Sequence, residues 1–240
     1  MKYKIKIILD KIINFFLPRT CFCCGADLKN KTLLCEDCFK KIEPVKGMLC
    51  QRCGVILKSG GKYCRNCRGS KASKYKCSFI RSALQFNEPT RALVHAFKYE
   101  KYLNIAPYFA EVMYKTYRKY PEYREANFLV PVPIYKSRQR KRGFNQAEVL
   151  AKNLGKICGI PVLNALVRVK NTESQTKLTR EQRKQNILSA FALAKNVEVK
   201  GQAVILIDDV CTTSATLEEC ARVLKEAGAR EVMALTALRE

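Results

Sequence analysis

The sequence predicts an α/β protein, a mainly parallel sheet flanked by helices, preceded by a cysteine-rich segment held together by metal. From residue 77 onward, short apolar runs alternate with helix-period segments, the pattern of strands that reach parallel neighbours through helices. Ten of the 13 cysteines fall between Cys21 and Cys77, most of them in pairs separated by two residues. Hydrophobic residues at 48% and charged residues at 28% supply enough apolar surface for a packed core across 240 residues, which excludes wholesale disorder. No stretch reaches the roughly 18 apolar residues that a bilayer span needs. The expected organisation is a helix over residues 1–18, a double metal ribbon over 19–76 and the α/β domain over 77–240.

At the amino end, Ile5, Ile8, Leu9, Ile12 and Phe16 recur at helical spacing before Pro18, so an amphipathic helix is expected there. Asp10 and Lys11 interrupt the apolar run that a secretory signal requires, and Pro18-Arg19-Thr20 is not a small-residue processing site. The expected compartment is the cytoplasm. The apolar stripe is expected to pack on the chain's own core; the alternative is a membrane surface, helped by Lys2, Lys4 and Lys6.

Residues 19–76 contain an internal duplication. Cys21, Cys24, Cys35 and Cys38 form one quartet, and Cys50, Cys53, Cys64 and Cys67 repeat it 29 residues later, with Gly25 and Gly54 in the same register. Two thiolates at this spacing converge on one ion from a tight turn, and the glycine after the second permits positive φ. Four sulfurs close a tetrahedron with no position left for a substrate, so two Zn2+ ions are expected in structural roles. A segment this short buries too little apolar surface to order itself unaided. Sequential quartets are the simplest pairing, and a cross-braced arrangement would use the same residues. Cys23 sits between two ligands and competes with them. Cys77, Cys158, Cys211 and Cys220 lack partners at ligand spacing and read as core residues.

In the α/β domain, strands are expected at 78–86, 128–132, 165–169, 203–207 and 231–237. Helices are expected at 89–99, 105–120, 146–157 and 216–227, the last ended by Gly228. His95 is the single histidine and falls in a helical stretch, where it reads as a core or surface residue rather than a catalyst.

The richest stretch is the apolar run 204–207 followed by Asp208, Asp209, Val210, Cys211, Thr212, Thr213, Ser214, Ala215 and Thr216. A buried strand ends in two acids, and a hydroxyl-rich turn then opens a helix. Ligands of parallel sheets bind beyond the carboxyl ends of strands. Free N–H groups and the positive dipole end at a helix start suit a phosphate, and carboxylates accept hydrogen bonds from sugar hydroxyls. Phosphate and ribose together make a sugar-phosphate site. Upstream, Lys136, Arg138, Arg140, Lys141 and Arg142 are five cations within seven residues just after a strand, read as a loop for an anion, with a solvated loop or one on a DNA backbone as competing readings. The whole chain carries 45 Lys and Arg against 21 acidic residues, a formal +24, which also points to a polyanionic partner. The stretch 171–186 is polar, lacks an apolar period and sits between strands.

The 204–216 stretch resembles the phosphoribosyl pyrophosphate (PRPP) motif of type I phosphoribosyltransferases. That resemblance implies a type I phosphoribosyltransferase-like fold and a PRPP ligand carried with Mg2+. It also implies catalytic roles for Asp208 and Asp209 on the ribose hydroxyls, and a 5′-phosphate on the turn from Cys211 to Thr216. The same resemblance implies pyrophosphate on the loop at Lys136, Arg138, Arg140 and Arg142, and makes 171–186 the flexible loop that closes over the site, with Arg180, Arg183 and Lys184 toward departing pyrophosphate. Ser214 departs from the pattern, which places glycine there. Together with the knuckle before Cys21, the two quartets, the 93–99 segment and the run Arg142-Gly143-Phe144-Asn145-Gln146-Ala147-Glu148, the chain resembles the ComF (ComFC) family of competence-associated proteins. What this implies is a role with single-stranded DNA during natural transformation, beside a competence helicase and a recombination mediator. The residues leave three readings open: a PRPP-dependent transferase with an unknown acceptor, a DNA-binding module, and a protein-docking adaptor using the ribbons.

Overall fold

The computed structural model describes residues 20–28, 32–68, 75–171 and 187–240. The helix expected over 1–18, and Arg180, Arg183 and Lys184 of the expected loop, lie outside the described residues. In chain order the elements begin with α1 (Glu36–Lys40), β1 (Ile80–Gln85), α2 (Glu88–Tyr99), α3 (Ile105–Tyr117), β2 (Phe128–Pro131) and α4 (Lys136–Arg142). They continue with α5 (Gln146–Cys158), β3 (Leu166–Arg168), β4 (Phe191–Leu193), β5 (Ala203–Cys211), α6 (Ala215–Glu226) and β6 (Glu231–Arg239).

Four strands form the central sheet in the order β1-β6-β5-β2, with every pairing parallel. Alternate residues of the inner strands serve opposite faces, as the period of two requires. Ile205, Ile207, Met233 and Leu235 pack with Phe97 of α2, Phe109 of α3 and Leu150 of α5. Val204, Leu206, Val232 and Ala234 pack instead with Leu217, Ala221 and Leu224 of α6. Both faces are covered, which explains why β5 reads as an unbroken apolar run. The edges are covered too. Val45 N–H donates to the Ala83 carbonyl at 2.9 Å along β1, while Leu129 of β2 exchanges hydrogen bonds with Pro161 and Leu163.

The cysteine segment is built onto this sheet. Arg81, nearly buried on β1, donates through Nη1 to the carbonyls of Gln51 at 3.1 Å and Ile80 at 2.8 Å, and lies over the Tyr120 ring. Ile80 N–H donates back to the Arg52 carbonyl at 2.8 Å. Gly54 lies so close to β1 that a Cβ would stand 2.4 Å from the Ile80 carbonyl oxygen, and its φ is +69°. Only glycine fits there.

Three expectations need correction. The strand expected at 165–169 does not join the main sheet: β3 pairs antiparallel with β4, an element too short to show a period in the sequence. Strand β5 runs past Ile207 to Cys211, because β6 extends beside it and pairs Asp208 with Thr236 and Cys211 with Arg239. Residues 136–142, read as a basic loop, are the helix α4, closed by Gly143 at φ +90°. Lysine, arginine and glutamine are good helix formers, but without apolar positions they leave no amphipathic signal.

Candidate functional site

In each cysteine quartet the turn after the first thiol is drawn by the same bonds. Gly25 N–H donates to Cys21 at 2.9 Å and Gly54 N–H to Cys50 at 3.0 Å, with φ of +77° and +69°. The bridges Thr20 to Asp27 and Leu49 to Ile56 match across the 29-residue repeat. Cys21, Cys24, Cys35 and Cys38 bring their sulfurs within 4.8 Å of one another, as do Cys50, Cys53, Cys64 and Cys67. The pairing is therefore sequential, not cross-braced, and Cys23 stands outside it. A zinc tetrahedron with bonds of about 2.3 Å has sulfur edges of about 3.8 Å. Cys24 to Cys35 and Cys53 to Cys64 are each 3.7 Å, far longer than the roughly 2.05 Å of a disulfide. The donor sets fit zinc.

Beside the second quartet, whose Cys53, Cys64 and Cys67 share a neighbouring cleft with Thr212, Thr213 and Ser214, the carboxyl end of β5 meets the start of α6 at a cavity of about 460 Å3. Asp208, Asp209 and all of residues 211–216 line it. Consecutive strand residues project to opposite faces, so the two acids reach the cavity with different neighbours. Asp209 lies on the α2 side, where the Lys98 ammonium stands 2.7 Å from its Oδ2. Asp208 lies toward Arg168 of β3, and its Oδ1 accepts from the Asp209 N–H at 2.8 Å. Burial, and then the charge of Asp209, push the Asp208 carboxyl up to about 7, against the opposing pull of Lys98 and Arg168.

The turn itself is braced from β6. Arg239 Nη1 donates to Cys211 Sγ at 2.7 Å and to Ser214 Oγ at 3.4 Å, and Ser214 Oγ is also 3.4 Å from Cys211 Sγ. Ser214 sits at φ +65°, the left-handed region, directly before the first turn of α6. The backbone thus adopts the conformation that glycine supplies in the resembling motif, at a strain of about 1–2 kcal/mol. Thr213 Oγ1 accepts from the Ala215 N–H at 3.4 Å, while α6 presents its N-terminal dipole to the cavity.

Cations face the acids. Arg138 and Arg142, one turn apart on α4, line the cavity, together with Arg91, Lys98 and Arg168. Burial, and after it the like charge of Arg138, pull the Arg168 guanidinium below its ordinary value. Arg142 donates to the Gln146 Oε1 beside it. Lys136 and Arg140 do not join this wall; both are exposed on the other side of α4.

Comparison with known proteins gives two family models. The double zinc ribbon domain matches residues 12–68, and the phosphoribosyl transferase domain matches residues 140–240. Competence protein F of Haemophilus influenzae is 34% identical over 227 residues, covering 92% of this chain and 96% of its own. The chain belongs to the ComF family. Competence protein ComFC of Bacillus subtilis is 33% identical over 88% of this chain and 86% of its own. DNA utilization protein YhgH of Escherichia coli K12 is 26% identical over 90% and 95%. In this ComF chain the ribbon match contains all eight sulfur ligands, and the transferase match contains both acids and the hydroxyl turn. Arg91, Lys98 and Arg138 lie between the two matches. Of these, Lys98 and Arg91 were not legible as site residues. The signal was a stripe, Arg91, His95 and Lys98 at helical spacing, on a helix whose other face is apolar. Among the described residues, no helix is long and apolar enough to cross a membrane.

Proposed function

We propose that the cavity binds PRPP, and that the protein is a phosphoribosyltransferase-like ComF protein with a role in handling single-stranded DNA during transformation. One observation carries the first part: an acid pair, a helix-opening hydroxyl turn and a cationic wall converge on a single cavity. The 5′-phosphate would take N–H groups at the start of α6 and the hydroxyls of Thr212, Thr213 and Thr216. The ribose hydroxyls would donate to Asp208 and Asp209, and the pyrophosphate would face Arg138 and Arg142. Mg2+ would arrive on the pyrophosphate and neutralise part of its charge. In a transfer reaction, the electron pair of the C1–O bond leaves with pyrophosphate, while an acceptor supplies the pair for the new bond and releases its proton.

The role with DNA is supported by the names of the relatives, competence and DNA utilization, and by the basic charge of the chain. A cytoplasmic location and partners such as a helicase and a recombination mediator belong to the same proposal and rest on the family resemblance alone. A second reading, a catalytically inactive adaptor for DNA or protein, draws on the Lys98 ammonium already seated on Asp209. Thermal melting separates the two. Magnesium-PRPP raises the melting temperature and Asp208→Ala abolishes the rise; no rise at millimolar PRPP overturns the PRPP reading and leaves the adaptor.

A further inference from the structure

Helix α4 sorts its cations. At about 3.6 residues per turn, Arg138 and Arg142 share one face and Lys136 and Arg140 share the opposite one. The first pair lines the cavity, whereas Lys136, Arg140 and Lys141 are exposed to solvent. No acidic residue occurs in α4, and among the described residues no ion pair is made by these three. Like charges this close repel along a helix, and an external polyanion relieves the repulsion. Beside them, Tyr99 closes α2 at the cavity mouth with 64% of its surface exposed. The Arg142 guanidinium stands 5.4 Å from its ring centroid and the exposed His95 ring 4.9 Å away. An aromatic ring held by a cation, next to a row of outward charges, is what a single-stranded nucleic acid uses: stacked bases and tracked phosphates. An acidic peptide would satisfy the charges but leave the ring without a stacking partner.

We propose that single-stranded nucleic acid crosses the cavity mouth, with a base stacked on Tyr99 and its phosphates on the outer face of α4 at Lys136 and Arg140. The ligand class rests on the DNA role proposed above, but not on PRPP binding. Two labelled 20-mers test it by fluorescence anisotropy on the zinc-loaded full chain: oligo-dT, and an abasic strand with the same phosphates. The expected result is that Tyr99→Ala weakens oligo-dT roughly tenfold and the abasic strand hardly at all, while Tyr99→Phe retains both. Lys136→Gln with Arg140→Gln is expected to weaken both strands and reduce the slope of log affinity against log salt by about 1.4. Equal loss for both strands in Tyr99→Ala, or no loss, overturns the stacking site; an unchanged salt slope overturns the phosphate track. Displacement of oligo-dT by an acidic peptide as readily as by unlabelled oligo-dT assigns the surface to protein instead. If oligo-dT binds but these variants leave it unaffected, this inference falls and the DNA role stands. If the wild-type chain binds no oligonucleotide, both fall, and the PRPP melting shift is judged separately.

Discussion

The Lys98 ammonium lies 2.7 Å from Asp209 Oδ2, and both side chains are largely withdrawn from water. This contact joins α2, which lies outside both family matches, to the acid pair inside the transferase match. Two adjacent carboxylates at the end of a buried strand repel each other, and Lys98 offsets that repulsion. Lys98→Met is therefore expected to cost about 3 kcal/mol, because it leaves Asp209 buried beside Asp208 without its cation. Adding Asp209→Asn should restore most of the loss. Urea unfolding of the two single variants and the double variant measures the coupling; additive losses would contradict it.

Asp208 makes stability depend on pH. Its carboxyl titrates at about 7 in the folded chain, against about 3.9 when unfolded. The folded state holds this proton more tightly, so the group's contribution is complete below about pH 4 and is lost as pH rises through 7. Asp208→Asn has no such proton. Its stability relative to wild type should therefore rise from pH 5 to about pH 7 and level off above it, and a difference that stays constant from pH 5 to pH 8 would contradict the assignment.

The two ribbon glycines are expected to respond differently to alanine. Both have positive φ, but nothing lies within 4 Å of a Cβ at Gly25, whereas at Gly54 it would meet the Ile80 carbonyl oxygen at 2.4 Å. Gly25→Ala should cost about 1 kcal/mol from backbone strain alone. Gly54→Ala should cost more, because it also pushes the second ribbon off β1. Equal melting temperatures for the two variants would show that the contact with Ile80 carries no weight.

Zinc content tests the pairing of the thiolates. Wild type should carry two ions per chain, and Cys24→Ser or Cys53→Ser should remove one ion each without disturbing the other site. Loss of both ions from either single variant would contradict two independent tetrads.

Much of this was readable from residues alone. The 29-residue repeat fixed eight ligands, and Gly25 and Gly54 both took the positive φ their positions called for. The acids and hydroxyls of 208–216 reached one cavity because a strand-turn-helix pattern allows little else. What stayed hidden was tertiary. Lys98 belongs to a helix whose apolar face dominates its pattern, and only the packing of α2 on the sheet brings its ammonium to Asp209. The charges of 136–142 gave no sign of a helix, so the division between Arg138 and Arg142 inside and Lys136 and Arg140 outside could not be foreseen. Strand β3 was expected within 165–169, but its partner β4, three residues long, is too short for any period to register.

The central claim is a sugar-phosphate receptacle at the acid pair and the turn behind it. Calorimetric titration of the zinc-loaded chain with magnesium-PRPP tests it most directly. The account predicts saturable binding of one PRPP per chain, lost in Asp208→Ala and weakened in Arg138→Gln. Absence of heat at millimolar PRPP, or binding untouched by Asp208→Ala, would contradict it.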